Sequence, residues 1–108
     1  MIQYTVTYQL IGLEDEFDIV LVNETSIAIV EVKHKAHPKL VDDMLTNKLL
    51  NFRTLFPYYE NLKLYGVLLP ASMVSNSKLV EKAKEAGLFF LTQQGNHVIL
   101  VNYEANVF

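Results

Sequence analysis

The stretch from 17 to 33 decides the fold and reads Phe-Asp-Ile-Val-Leu-Val-Asn-Glu-Thr-Ser-Ile-Ala-Ile-Val-Glu-Val-Lys. It contains two apolar runs, 17–22 and 27–33, separated by four polar residues that are typical of a short turn. Runs that are apolar at nearly every position are typical of strands covered on both faces. The pattern therefore predicts two buried strands that pair as a hairpin.

Three ionisable residues interrupt these apolar runs: Asp18 in the first, Glu31 and Lys33 in the second. A charge in such surroundings is costly unless it is paired or bound to a metal. Glu31 and Lys33 are two residues apart and project from one face of their strand, while the turn brings Asp18 alongside. We expect the three side chains to converge at the open end of the sheet.

Two adjacent carboxylates form an oxygen-rich site that suits Mg²⁺ or Mn²⁺, and a neighbouring ammonium can position water and offset transition-state charge. A purely structural interpretation is also available. In it Asp18 bonds to nearby amides, and Glu31 and Lys33 form an ion pair on a partly exposed strand.

The rest of the chain continues the α/β pattern. Alternating residues predict a half-buried strand from Ile2 to Leu10, and the acidic residues 14–16 after it are expected to form a solvated loop. Further along we predict a helix over 38–55, a strand over 63–70, a helix ending at Ala86, and strands over 88–92 and 97–101. The order β-β-β-α-β-α-β-β predicts a mixed sheet with helices packed against it.

Length and composition indicate one domain spanning residues 1–108, since 51% of the residues are hydrophobic and one core is expected at this size. Cysteine is absent, which excludes disulfides, thiolate metal sites and a thiol nucleophile and fits a cytoplasmic protein. No signal peptide or apolar run of membrane-spanning length is found, so we expect no membrane association. The net charge of −3 counts against strong non-specific DNA binding, although a local patch or a bound cation can supply positive potential.

A local positive cluster follows Lys33. It comprises Lys35, His37 and Lys39, and a nucleic-acid backbone would have to approach there. His34, Lys35 and His37 are therefore candidates for substrate binding. The two histidines are better interpreted as solvated or phosphate-facing residues than as metal ligands, because no third soft ligand accompanies them.

The segments Glu-Phe-Asp18-Ile-Val-Leu-Val and Ile-Val-Glu31-Val-Lys33 together resemble the PD-(D/E)xK nuclease superfamily. The resemblance covers roughly residues 16 to 92 and implies a restriction-endonuclease-like, three-layer fold with a mixed central sheet flanked by helices. It implies metal ligation by Asp18, Glu31 and the backbone carbonyl of Val32, with Lys33 positioning or activating water. The expected activity is magnesium- or manganese-dependent hydrolysis of phosphodiester bonds in DNA by an endonuclease, and a homodimer is a further expectation.

The sequence departs from the family pattern in two places. Phe17 replaces the usual proline, and the chain begins with a strand where many members have a helix that carries a glutamate. Three explanations are open: the helix lies outside the given sequence, the metal site lacks that ligand, or Glu14 or Glu16 replaces it. Some members add a Gln or Lys on the crossover helix, where Lys48 is a candidate for substrate binding. The alternative function is a catalytically inactive nuclease-fold module that binds DNA or protein.

Overall fold

The computed structural model describes residues 2–10, 13–33, 37–70, 77–94, 97–102 and 104–108. Its strands are β1 (Ile2–Leu10), β2 (Leu13–Val22), β3 (Ser26–Lys33), β4 (Lys63–Pro70), β5 (Phe89–Gln94) and β6 (His97–Leu100). Its helical segments are α1 (Lys39–Asp43), a π turn (Met44–Lys48), α2 (Leu49–Leu55), a 3₁₀ turn (Pro57–Tyr59) and α3 (Ser77–Ala86).

The strands lie side by side in chain order, from β1 to β6. Antiparallel pairing joins β1 to β2 and β2 to β3, whereas β3, β4 and β5 run parallel. β6 returns antiparallel beside β5. The parallel neighbours are connected through helices, as parallel pairs require. The predicted α/β class with a mixed sheet is therefore confirmed.

The first hairpin is longer than predicted. β2 begins at Leu13, which pairs with Leu10, so residues 14–16 belong to a strand and the predicted loop is wrong. Their acidic composition indicated a loop, but pairing with the nine-residue β1 supplies the backbone hydrogen bonds that override this local preference. The sequence also predicted that one face of β1 is apolar and buried. The burial of these side chains lies outside what the structure describes.

The segments α1, the π turn and α2 form one continuous helix over 39–55, hereafter the crossover helix, close to the predicted span of 38–55. It ends because Phe56, which precedes Pro57, adopts a non-helical conformation. Its buried residues are Val41, Met44, Leu49, Phe52 and Leu55, in agreement with the apolar spacing. The π turn was not predicted, and there the Leu49 N–H donates to the Met44 carbonyl, five residues back.

α3 lies beside α1, and an exposed ion pair of 2.8 Å joins Lys82 Nζ to Asp42 Oδ2. Among the described residues, no helix has both the length and the apolar character needed to cross a membrane.

The crossover helix packs closely against β3 and β4. Ile27 and Ile29 of β3 are fully buried, and Gly66 of β4 provides the space for the helix. A Cβ atom built on Gly66 would lie 2.7 Å from Leu88 Cδ2 and 3.1 Å from Met44 Cγ. Glycine at this position therefore sets how close the π turn comes to the sheet.

We expect Gly66→Val to lower the free energy of unfolding by about 1–3 kcal/mol, because the added methyl groups overpack the contact with Leu88 and Met44. Urea denaturation measures this loss. Ala28→Val is the matched control. Ala28 is only partly buried and lies on the opposite face of β3 from Ile27 and Ile29. Equal stability of the two variants would contradict close packing at Gly66.

Candidate metal centre between strands β2 and β3

The hairpin register brings the two predicted acidic ligands together. Ile19 pairs with Val30 and Val20 with Ile29, so the next opposing positions are Asp18 and Glu31. Directly opposed residues of an antiparallel pair project from the same face, with Cβ atoms about 4.5–5.5 Å apart. The structure thus places position 18 on the same side of the sheet as position 31, and Lys33 follows on that face two residues later.

Asp18 is fixed by the backbone of the neighbouring strand. Its Oδ2 accepts a hydrogen bond of 3.0 Å from the Val32 N–H. Burial alone would raise the pKa of Asp18, but the Glu31 side chain, the Val32 N–H and the positive charges of Lys33 and Lys48 outweigh it and lower the pKa. Asp18 is therefore the carboxylate that stays ionised.

A β-bulge occurs at Asp18. Tyr4 of β1 pairs with Val20 and Val6 pairs with Phe17, so Asp18 and Ile19 together lie opposite one residue of β1. Because of this extra residue, Phe17 and Val20 are both buried, although strict alternation would place them on opposite faces. The bulge thus directs Asp18 towards β3 while Phe17 packs edge-on against Phe52 of the crossover helix.

Glu31 is a buried acidic residue whose charged form is disfavoured. Its side chain is only 3% exposed, and neither carboxylate oxygen accepts a hydrogen bond from the described residues. Burial raises the pKa of Glu31 to about 8; the neighbouring Asp18 raises it as well, while Lys48 and Lys33 act in the opposite direction. A buried carboxyl group with free lone pairs is poorly suited to a structural role and well suited to binding a cation.

Two lysines influence this pair of carboxylates. Lys33 is partly exposed, and its charge lowers the pKa of both Asp18 and Glu31. Lys48 approaches from the crossover helix, and its Nζ lies 3.6 Å from Glu31 Oε1. The same ammonium donates a hydrogen bond to the backbone carbonyl of Glu16 and lies 5.6 Å from the centre of the Phe17 ring.

The sequence also predicted site roles for His34, Lys35, His37 and the Val32 carbonyl. His34 and Lys35 lie outside the described residues. His37 is exposed, and its Nδ1 accepts a hydrogen bond of 3.1 Å from the Lys39 N–H at the start of α1. The Val32 N–H contacts Asp18, whereas metal ligation by the Val32 carbonyl stays a prediction.

Sequence reasoning missed three contributors: the Val32 N–H that holds Asp18, and the Glu16 carbonyl and Phe17 ring that hold Lys48. One signal was available. Lys48 falls at helical spacing among the buried residues Met44, Leu49 and Phe52, and a lysine in a sheet-facing stripe indicates a buried anionic partner.

The donor set of the site suits a hard divalent cation. Asp18 and Glu31 offer carboxylate oxygens, and those of Glu31 have no hydrogen-bond donor among the described residues. Within those same residues, no group of three potential metal-ligating side chains occurs. Two carboxylates nevertheless fit Mg²⁺, which commonly binds one or two protein carboxylates and completes its shell with water and substrate phosphate.

The raised pKa of Glu31 predicts a loss of stability as the pH rises from about 4.5 to about 8. In this range the unfolded chain releases the Glu31 proton while the folded protein retains it, so the free energy of unfolding falls, by at most about 1.4 kcal/mol per pH unit. Glu31→Gln, which has no proton to release, should remove this component. Urea denaturation at several pH values in the presence of a chelator measures the two slopes.

The control for this measurement is Glu81→Gln, which changes an exposed glutamate on α3 and should keep the wild-type slope. Identical slopes for the wild type and Glu31→Gln would show that the pKa of Glu31 is the same in the folded and the unfolded protein.

No family model, curated protein or solved structure matches this chain. The functional proposal for the chain therefore depends on the geometry and electrostatics of Asp18, Glu31, Lys33 and Lys48.

Proposed function

We propose that this protein is a divalent-metal-dependent phosphodiesterase that acts on nucleic acid, with DNA as the expected substrate. One observation carries the proposal: the buried Glu31 oxygens have no hydrogen-bond donor among the described residues, and Asp18 and Glu31 occupy the positions that follow the Ile19–Val30 pair of β2 and β3. Such a carboxylate is expected where it must be free to bind a cation.

The fold provides further support. A hairpin carries Asp18 and the Glu31-x-Lys33 motif, and the crossover helix, β4 and α3 follow in that order. This agrees with the core that the resemblance to PD-(D/E)xK nucleases implies. The restriction-endonuclease-like, three-layer arrangement is part of the proposal, as is membership of that superfamily.

Asp18 and Glu31 are the residues that would hold Mg²⁺ or Mn²⁺. The bound ion would supply Lewis-acid stabilisation of phosphate oxygens and lower the pKa of a coordinated water. Asp18 is positioned for this role by the hydrogen bond that its Oδ2 accepts from the Val32 N–H. Glu31 contributes its charge from the protein interior, where electrostatic interactions are stronger than in water.

We place Lys33 between the carboxylate pair and the substrate. It is partly exposed at the end of β3, so its ammonium can reach solvent while Glu31 beneath it cannot. In the reaction we propose, water attacks phosphorus in line and the opposite P–O bond to a sugar oxygen breaks. Lys33 would orient the attacking water and balance the negative charge that develops on the phosphate.

The charge distribution indicates where the substrate approaches. The chain as a whole is acidic, with a net charge of −3, so positive potential must come from local residues and the bound cation. His37 and Lys39 are exposed just beyond the end of β3 and can contact a phosphate backbone. Substrate contacts of His34, Lys35 and Lys48, and a homodimer that would cut both strands, are predictions.

Asp18→Ala and Lys33→Ala should each reduce cleavage of DNA by at least about 100-fold, since each removes a group that stabilises the transition state. The assay uses plasmid and single-stranded DNA with Mg²⁺ or Mn²⁺, and circular dichroism checks that each variant is folded. A chelator should abolish the wild-type activity.

The matched controls are Glu24→Ala and Lys63→Ala. Both residues are exposed, and both lie at the opposite end of the sheet from Lys33. They should retain wild-type cleavage. Cleavage that survives both Asp18→Ala and Lys33→Ala would refute this mechanism.

The second candidate is a catalytically inactive nuclease-fold module that binds DNA or protein, which the acidic net charge favours. Calorimetry with Mg²⁺ separates the two candidates. We expect the wild type to bind Mg²⁺ and to release about one proton near neutral pH, because Glu31 must ionise to act as a ligand. We expect Glu31→Gln to lose this binding. An inactive module without a cation site would show no heat of binding.

A further inference from the structure

Lys48 is held at the carboxylate pair by contacts with two structural elements. Its side chain is 15% exposed, its ammonium donates to the Glu16 carbonyl of β2, and it lies 5.6 Å from the centre of the Phe17 ring. On the side of β3 it reaches Glu31 Oε1 at 3.6 Å. An ammonium fixed in this way has little freedom to move away from the carboxylate.

The distance between Lys48 and Glu31 is informative. Hydrogen bonds between an ammonium and a carboxylate are usually about 2.7–2.9 Å long, so 3.6 Å brings the charges close without a hydrogen bond. Both Glu31 oxygens accordingly lack a hydrogen-bond partner among the described residues. Lys48 therefore places a positive charge beside the carboxylate pair while leaving the lone pairs of Glu31 free.

The contacts of Lys48 with the Glu16 carbonyl and the Phe17 ring explain why its ammonium lies beyond hydrogen-bonding distance of Glu31. The Glu16 carbonyl and the Phe17 ring both belong to β2, and the bulge that follows Phe17 also positions Asp18. The same strand thus holds one carboxylate of the pair and the cation that faces the other. A structural ion pair would be expected to close to hydrogen-bonding distance, because a buried carboxylate gains most from direct donors.

We propose that Lys48 is the built-in counter-ion of the Asp18–Glu31 pair in the cation-free protein, and that it lowers the affinity of this pair for the divalent cation. This inference rests on the proposed metal site. When a divalent cation binds to Asp18 and Glu31, Lys48 becomes a like charge only a few ångströms away. Lys48 is therefore a positioning residue that keeps the site assembled without metal at the expense of metal affinity.

The test is calorimetry with Mg²⁺ at one fixed pH in two buffers of different ionisation enthalpy, which separates the heat of proton release from the heat of binding. We expect Lys48→Met to bind Mg²⁺ at least about tenfold more tightly than the wild type, since a nearby positive charge is gone. Lys48→Gln, which keeps a donor for the Glu16 carbonyl, should show the same gain if Lys48→Met fails to fold. Lys48→Arg retains the charge and should keep an affinity close to that of the wild type.

Thermal unfolding provides a second measurement that does not depend on activity. Without Mg²⁺, Lys48→Met should unfold at a lower temperature than the wild type because it removes the positive charge that faces the carboxylate pair. Mg²⁺ should raise its Tm more than that of the wild type. Lys63→Met makes the same change in net charge at an exposed position and should match the wild type in both experiments.

The outcomes distinguish this inference from the proposed function. Mg²⁺ binding by the wild type that is equal or weaker in Lys48→Met and Lys48→Gln would overturn the role of Lys48 and leave the metal site intact. Absence of Mg²⁺ binding by the wild type and by every variant would overturn both. Tighter binding by Lys48→Arg would also overturn it, because the positive charge would then not be the cause.

Discussion

The burial of the Glu31 carboxylate is the constraint around which the rest of the site is arranged. Glu31 continues the face of β3 that carries Ile27 and Ile29, so it enters the contact between the sheet and the crossover helix. Burial disfavours a charge in that position, and the described structure places the Lys48 ammonium 3.6 Å from Glu31 Oε1 without a hydrogen bond between them. The bulge lies at Asp18, the neighbour of Glu31 on β2, and Lys48 extends inward from the crossover helix to the same carboxyl group.

The hairpin could be predicted from sequence because its signals are local. The turn over 23–26 and the apolar runs beside it set the register that opposes Asp18 and Glu31. The crossover helix could also be predicted, because apolar residues at helical spacing indicate which face of a helix is buried. The α/β class and the pairing of positions 18 and 31 therefore follow from residues close together in the chain.

The features that sequence could not provide depend on contacts between distant segments or on single-residue insertions. The strand assignment of residues 14–16 depends on pairing with β1, and their composition alone favours a loop. The bulge at Asp18 and the π turn at Met44–Lys48 each change the register by about one residue, which leaves the apolar pattern almost unchanged. The contact of Lys48 with Glu16 spans 32 residues and became visible only in the assembled fold.

The energetics of Glu31 favour a binding role over a structural one. A buried carboxylate without hydrogen bonds costs stability, and an apolar or amide side chain of similar size would avoid that cost. If the hairpin served only as a scaffold, leucine at position 31 would extend the core formed by Ile27, Ile29 and Leu68, the parallel partner of Glu31 in β4. A ligand that compensates the glutamate when bound would explain its position, and the divalent cation that we propose to be shared with Asp18 is a ligand of matching charge and coordination preference.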